Sequence, residues 1–115
     1  MEKNVEISLL LSFYGNVLTD KQKEAANLYY NEDLSLAEIA EIVGVTRQGV
    51  RDNIKRAETV LYDLEEKLGL CGRFLNIKEK LKAVSVLTEN ADIPKDIQNK
   101  LAEIIDTVID INDNF

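Results

Sequence analysis

The chain has 115 residues, 45% of them hydrophobic, enough for one core that removes roughly 65% of the unfolded surface from water. It contains no histidine and a single cysteine, Cys71. That excludes an intramolecular disulfide and the usual imidazole metal sites, and it makes a cytoplasmic protein the simplest reading. A net charge of −7 excludes loose adhesion to nucleic acid over the whole surface.

The charge is uneven. Residues 1–56 carry seven basic and nine acidic groups, residues 57–115 seven and twelve, and the stretch Thr46–Arg56 four and one. Any contact with a polyanion is therefore local.

In chain order, VEISLLLSFY at Val5–Tyr14 is apolar on every side. It reads as a buried first helix, with Leu10, Phe13, Tyr14 and Val17 toward the core or a partner chain. Its apolar run Ile7–Leu11 follows Glu6 and is too short for a signal or membrane-spanning segment. Gly15-Asn16 ends it. Thr19 and Gln22 have capping-box spacing and start a helix running to Asn31, with Leu28 and Tyr29 on its apolar side. Asn31-Glu32-Asp33 is a polar break.

Ser35–Arg56, SLAEIAEIVGVTRQGVRDNIKR, has the pattern of a helix, a tight turn and a second helix. Ser35 and Glu38 form another capping box, the hydroxyl accepting from a free amide and the carboxylate reaching back to the cap. Leu36, Ile39, Ala40 and Val43 recur at helical spacing. Gly44 then stands where a left-handed residue ends a helix. Ala40 is small where two crossing helices must come close. Thr46 caps the second helix, whose apolar positions are Val50, Ile54 and Ala57. This is a helix-turn-helix pattern, in which the second helix enters a nucleic-acid groove.

The second helix does not stop at Arg56. Val50, Ile54, Ala57, Leu61, Leu64 and Leu68 continue a heptad seam to Gly69, about 34 Å of helix. Gly69-Leu-Cys-Gly72 reads as a terminator. Beyond it, Phe74, Ile77, Leu81, Val84 and Leu87 form a second stripe. Asn90–Pro94 is a break, with the proline suited to a first helical turn. Ile97, Leu101, Ile104, Ile105 and Val108 form a third stripe. Asp106, Asp110 and Asp113 oppose the dipole of that last helix, whose end is expected to fray. No turn-bounded alternating run suggests a strand. The expected fold is all-α, about six helices.

Placed at about 100° per residue, the second helix turns Gln48, Asp52, Lys55 and Thr59 outward, with Arg47, Arg51 and Arg56 on the flanks. Arg47 and Gln48 lie in the first turn, the part of a recognition helix that reaches base edges. Gln48 suits adenine, and Arg47 or Arg51 suits guanine. Lys55 and Arg56 suit phosphates, which position without specifying sequence. Asp52 either accepts from cytosine or pairs with Lys55 or Arg56 and mutes them. Gly49 weakens the helix by about 1 kcal/mol relative to alanine, or serves as a close-packing point against the preceding helix. Thr46, Arg47, Gln48, Arg51, Asp52, Lys55 and Arg56 are the candidate binding residues.

Catalytic chemistry is not legible. Hydrolysis ordinarily needs a base titrating near neutrality, and there is no histidine to supply it. Cys71 lacks a histidine partner, and the glycines beside it suggest a turn thiol. The GxxxxGK[ST] phosphate loop is missing. Glu65-Glu66 reads as a solvated face. The chain reads as a non-enzyme with no metal and no cofactor.

The stretch LTDKQKEAANLYYNEDLSLAEIAEIVGVTRQGVRDNIKRAETVL from Leu18 resembles the region of bacterial sigma factors, region 4, that reads the upstream promoter element. It carries the LT…Y…SLAEIA…GVT…R…V order of that region. Through LTDKQ, LYY, DLSLAEIA, TRQGV, DNIKRAE and the LEEKLGL that follows, Ile7–Leu70 more closely resembles the small YlxM-type helix-turn-helix proteins of Gram-positive bacteria. The resemblance implies a sigma region-4-like domain over 1–70, with a long recognition helix. Residues 71–115 are expected to add a C-terminal helical hairpin, packed on the first part or on a partner chain. The YlxM resemblance also implies a regulatory or accessory role beside the signal recognition particle, with DNA, the particle's RNA or its protein subunit as partners.

Two functions of different class remain open at this point. One is a nucleic-acid-binding regulator using Thr46–Arg56. The other is a protein–protein adaptor of the targeting pathway that keeps the scaffold without reading DNA. Three apolar stripes and an all-apolar first helix exceed what one small globule buries, so a homodimer is expected.

Overall fold

The computed structural model describes residues 2–89 and 91–113. Among them the protein is all-α, with six helices: α1 Lys3–Tyr14, α2 Asp20–Tyr30, α3 Leu36–Val43, α4 Arg47–Leu68, α5 Leu70–Glu89 and α6 Lys95–Asp113. A single 3-10 turn, Gly15–Val17, joins α1 to α2. The chain divides at Gly69 into two compact units, α1–α4 and α5–α6.

Local chemistry sets the helix starts. Thr19 accepts from the amide of Gln22 at 3.2 Å while Gln22 Oε1 accepts from the amide of Thr19. Ser35 and Glu38 repeat the arrangement at 3.1 Å in both directions. Each box satisfies two amides that have no partner inside the helix. The first amide of the α3 box holds the Glu38 carboxyl below its usual range, with the Ser35 hydroxyl adding to the effect. Helices α3 and α4 both end on a left-handed glycine, Gly44 at φ +73° and Gly69 at φ +63°. No atom lies within 4 Å of where a Cβ would stand on either. Backbone conformation, rather than space, favours glycine there.

The α1–α4 core is built from Ile7, Leu10, Leu11 and Tyr14 of α1, Leu18 of the α1–α2 connection, Ala25, Ala26 and Tyr30 of α2, Ile39 of α3, and Val50, Ile54, Ala57 and Leu61 of α4. Helix α4 is the spine, against which each of α1, α2 and α3 packs. Two alanines on α2 let that helix lie close to it.

Several expected positions move. Val17 is 64% exposed and Leu18 is buried in its place, because the 3-10 turn advances about three residues per turn and so rotates the register. Tyr29 sits at the surface, and the apolar side of α2 belongs to Ala25, Ala26 and Tyr30. Burial on α4 ends at Leu61, with Leu64 half-buried and Leu68 exposed. A 22-residue helix simply overhangs partners of 12, 11 and 8 residues. The terminator is Gly69 alone: α5 begins at Leu70, so Cys71 and Gly72 lie in its first turn.

In the second unit α5 packs on α6. Phe74, Leu81, Val84, Leu101, Ile105 and Val108 are half-buried, while Ile77, Leu87, Ile97 and Ile104 are exposed. The break between the helices spans Ala91–Pro94. The sequence places its start at Asn90, which lies outside the described residues.

Candidate nucleic-acid interface

Helix α3, the turn Gly44–Thr46 and helix α4 form a helix-turn-helix. The amides of Gly44 and Val45 both bond to the carbonyl of Ala40, at 2.9 and 3.2 Å. Two amides sharing one acceptor fold the chain tightly back at the end of α3. Thr46 then accepts from the amide of Gly49 at 3.0 Å and starts α4. A Cβ on Gly49 would stand 3.2 Å from that same hydroxyl. The glycine thus clears space over the cap rather than against α3.

Arg47, Gln48, Arg51, Asp52, Lys55 and Arg56 are all exposed. Gln48 donates from Nε2 to Asp52 Oδ1 at 3.0 Å, one turn along the helix. Asp52 therefore takes Gln48 as its partner, and neither Lys55 nor Arg56 pairs with it. A glutamine and an aspartate at this spacing bond without straining either rotamer. A glutamine amide has a second N–H and a carbonyl oxygen left over, the pair that adenine requires. Asp52 fixes the group rather than consuming it.

Three ion pairs occur among the described residues: Lys3–Glu58, Lys67–Asp63 and Lys100–Glu103. None involves Arg47, Arg51, Lys55 or Arg56. Four cations thus stand without an ion-pair partner along two and a half turns of the exposed side of α4. Helical rotation puts Arg47, Arg51 and Lys55 on one flank of the Gln48–Asp52 pair and Arg56 on the other. Arg56 shares a shallow depression with Gln22, Thr59 and Val60, which Lys55 borders from its own side.

The flank holding Arg51 and Lys55 also forms one wall of a cleft of about 290 Å³, lined further by Lys3, Tyr29, Tyr30, Leu36, Ile54 and Glu58. Arg51, Ile54, Lys55 and Glu58 have the i, i+3, i+4, i+7 spacing of a single helix face, a signal present in the sequence. Lys3 and Tyr29 arrive from α1 and α2, and no local pattern announces them.

Tyrosine–carboxylate bonds clamp this scaffold. Tyr30 donates to Glu58, which also pairs with Lys3 at 3.5 Å. Tyr14 donates to Glu65 at 2.6 Å and Tyr62 to Glu6 at 3.3 Å. Burial, followed by the Glu58 carboxylate, pushes the Tyr30 phenol far above its ordinary range. Burial and then Glu6 raise that of Tyr62. Both phenols stay neutral donors across the physiological range.

No group of three or more metal-ligating carboxylate, thiol or imidazole side chains comes together among the described residues. No described helix is long and apolar enough to cross a membrane.

A family model described as "Putative helix-turn-helix protein, YlxM / p13 like" matches residues 1–104. A UPF0122 protein of Acetivibrio thermocellus is 43% identical over 117 aligned residues, covering 93% of this chain and 100% of the relative. One from Clostridium perfringens strain 13 is 48% identical over 110, covering 91% and 98%. One from Clostridium acetobutylicum is 42% identical over 110, covering 96% and 84%. With the helix-turn-helix in place and relatives aligned along nearly their full lengths, the chain belongs to the UPF0122 family of YlxM/p13-like proteins.

Proposed function

We propose that this protein is a non-enzymatic, nucleic-acid-binding regulatory or accessory protein that seats α4 in the major groove of duplex DNA. The observation that carries the reading is the Gln48–Asp52 pair flanked by four cations without internal partners. Cations gathered without partners on one face of an otherwise acidic chain give a polyanion a local place to bind. A glutamine oriented by a carboxylate suits adenine. Residues 1–70 act as the reading domain and residues 71–115 as an extension that pairs with a second copy. In this reading the protein works in the cytoplasm, with signal recognition particle components as further partners, a role that rests on the family resemblance.

A salt-titrated binding assay with duplex DNA, the particle's RNA and its protein subunit tests the reading. We expect duplex binding with a log–log salt slope near −3 to −4, from roughly three or four neutralised phosphates. A-form RNA closes its major groove to a helix, so RNA should bind by phosphate contacts, with less discrimination. If an Arg47→Ala, Arg51→Ala double variant binds DNA and RNA as the wild type does, groove reading fails and the adaptor reading replaces it.

A further inference from the structure

The cleft beside α4 has two chemically different halves. Its basic half is Arg51 and Lys55, one helical turn apart, their side chains without an ion-pair or hydrogen-bond partner among the described residues, with Lys3 beyond them. Its only acid, Glu58, is already engaged by Lys3 at 3.5 Å and by the Tyr30 hydroxyl. Three cations against one committed carboxylate leave the cleft positive by two. Like charges one turn apart repel each other, and an anion bound between them relieves that.

The other half is apolar. Leu36 and Ile54 line it, and Tyr29 stands at the rim, 36% exposed. The Tyr29 ring is held edge-to-face against Tyr30, with centroids 5.0 Å apart and planes at 88°. Tyr30 in turn is anchored on Glu58. A ring braced at right angles by a fixed neighbour is a rigid platform, and part of it stays open to solvent.

We propose that this cleft is a site for one unpaired nucleotide, its base stacked on Tyr29 and its phosphate held between Arg51 and Lys55. An acidic peptide would satisfy the cations but leave the ring and the apolar wall without a flat partner. A nucleotide satisfies both halves. At about 290 Å³ the cleft lies at the lower end of small-ligand pockets, which run about 300–1,000 Å³, so one nucleotide is the fitting unit. Base–aromatic stacking tolerates any base, so the site detects a strand end, bulge or single-stranded junction rather than a sequence. It rests on α4 as the nucleic-acid helix only in sharing Arg51 and Lys55; Lys3 and Tyr29 are outside that reading.

The test compares a blunt duplex, the same duplex with a single-stranded overhang, and free single strands of DNA and of RNA, each titrated into the full chain. The overhang is expected to tighten binding by about 5- to 150-fold, the range of one stacked base. Tyr29→Ala should abolish that gain and leave blunt-duplex affinity unchanged, whereas Tyr29→Phe, which keeps a stacking face, should retain it. Far-ultraviolet circular dichroism confirms that both variants stay folded. Equal preference for DNA and RNA single strands assigns the ligand to base and phosphate; a preference for RNA adds a ribose contact to it. The proposal is overturned if Tyr29→Ala keeps the overhang gain or if no gain exists. Failure of the groove reading looks different: the blunt duplex is ignored, while single strands still bind in a Tyr29-dependent way.

Discussion

Arg47 and Lys55 differ in what their position permits. Arg47 lies in the first turn of α4, the part that would reach base edges in the proposed groove reading. Arg47→Ala should therefore relax preference at one base pair by about 1–3 kcal/mol. Lys55 sits two turns along, and Lys55→Ala should weaken every duplex alike and lower the salt slope by about 1. Paired titrations on matched and mismatched duplexes separate the two, and identical behaviour of the variants would remove the distinction. Asp52 is the more informative residue, because its bond to Gln48 makes it an orienting group. Asp52→Ala should tighten binding to unrelated sequences by removing an anion while flattening adenine preference. Tighter binding with the preference intact would mean that the pair has no reading role. Tyr30 gives a pH handle. Its phenol titrates far above the unfolded value of about 10. The stability it contributes is fully present below that unfolded value and is lost as pH rises through the folded one. Melting temperatures from pH 8 to 11 should fall less steeply for Tyr30→Phe than for the wild type.

At the level of helices, the spine sets the tolerances. Leu61 is 0% exposed where α4 crosses its partners, so Leu61→Ala should cost about 2–5 kcal/mol in chemical denaturation. Leu68, on the overhang, should tolerate alanine within about 0.5 kcal/mol. Equal losses at the two positions would mean that α4 is covered along its whole length. Gly44→Ala should cost about 1–2 kcal/mol, all of it backbone strain at positive φ. The capping boxes, Gly44, Thr46 and the α4 seam are legible in the sequence because each is fixed by neighbours within four residues. Val17 and Leu18 are not, since a single 3-10 turn rotates the register without leaving a compositional mark. The extent of burial along α4 depends on how long the other helices are, which periodicity does not encode. Asp52 shows the same limit at the site. Gln48, Lys55 and Arg56 all lie at helical spacing from it, and side-chain geometry alone selects Gln48. The cleft is harder still, because Lys3 and Tyr29 reach it from two other helices, α1 and α2, beyond the reach of any local pattern.

For the molecule as a whole, the proposed pairing through the second unit would draw on charge and apolar surface. The α5 segment carries four basic and two acidic residues and the α6 segment two and five. Two hairpins laid side by side would set opposite charges together while covering Ile77, Leu87, Ile97 and Ile104. Sedimentation at micromolar concentration should show a dimer, and an Ile97→Glu, Ile104→Glu variant should run as a monomer; a monomeric wild type would end that reading. The tyrosine clamps carry a different kind of consequence. The protein has four tyrosines and no tryptophan, so its ultraviolet emission is tyrosine emission. Tyr14, Tyr30 and Tyr62 each donate to a carboxylate, and an excited phenol, being more acidic, passes its proton to such a neighbour and goes dark. Tyr29 makes no such bond among the described residues. Tyr29, 5.0 Å from Tyr30, hands part of its excitation to that quenched neighbour, so the wild-type protein should be a dim emitter that brightens when Tyr30→Phe removes the drain at the mouth of the cleft.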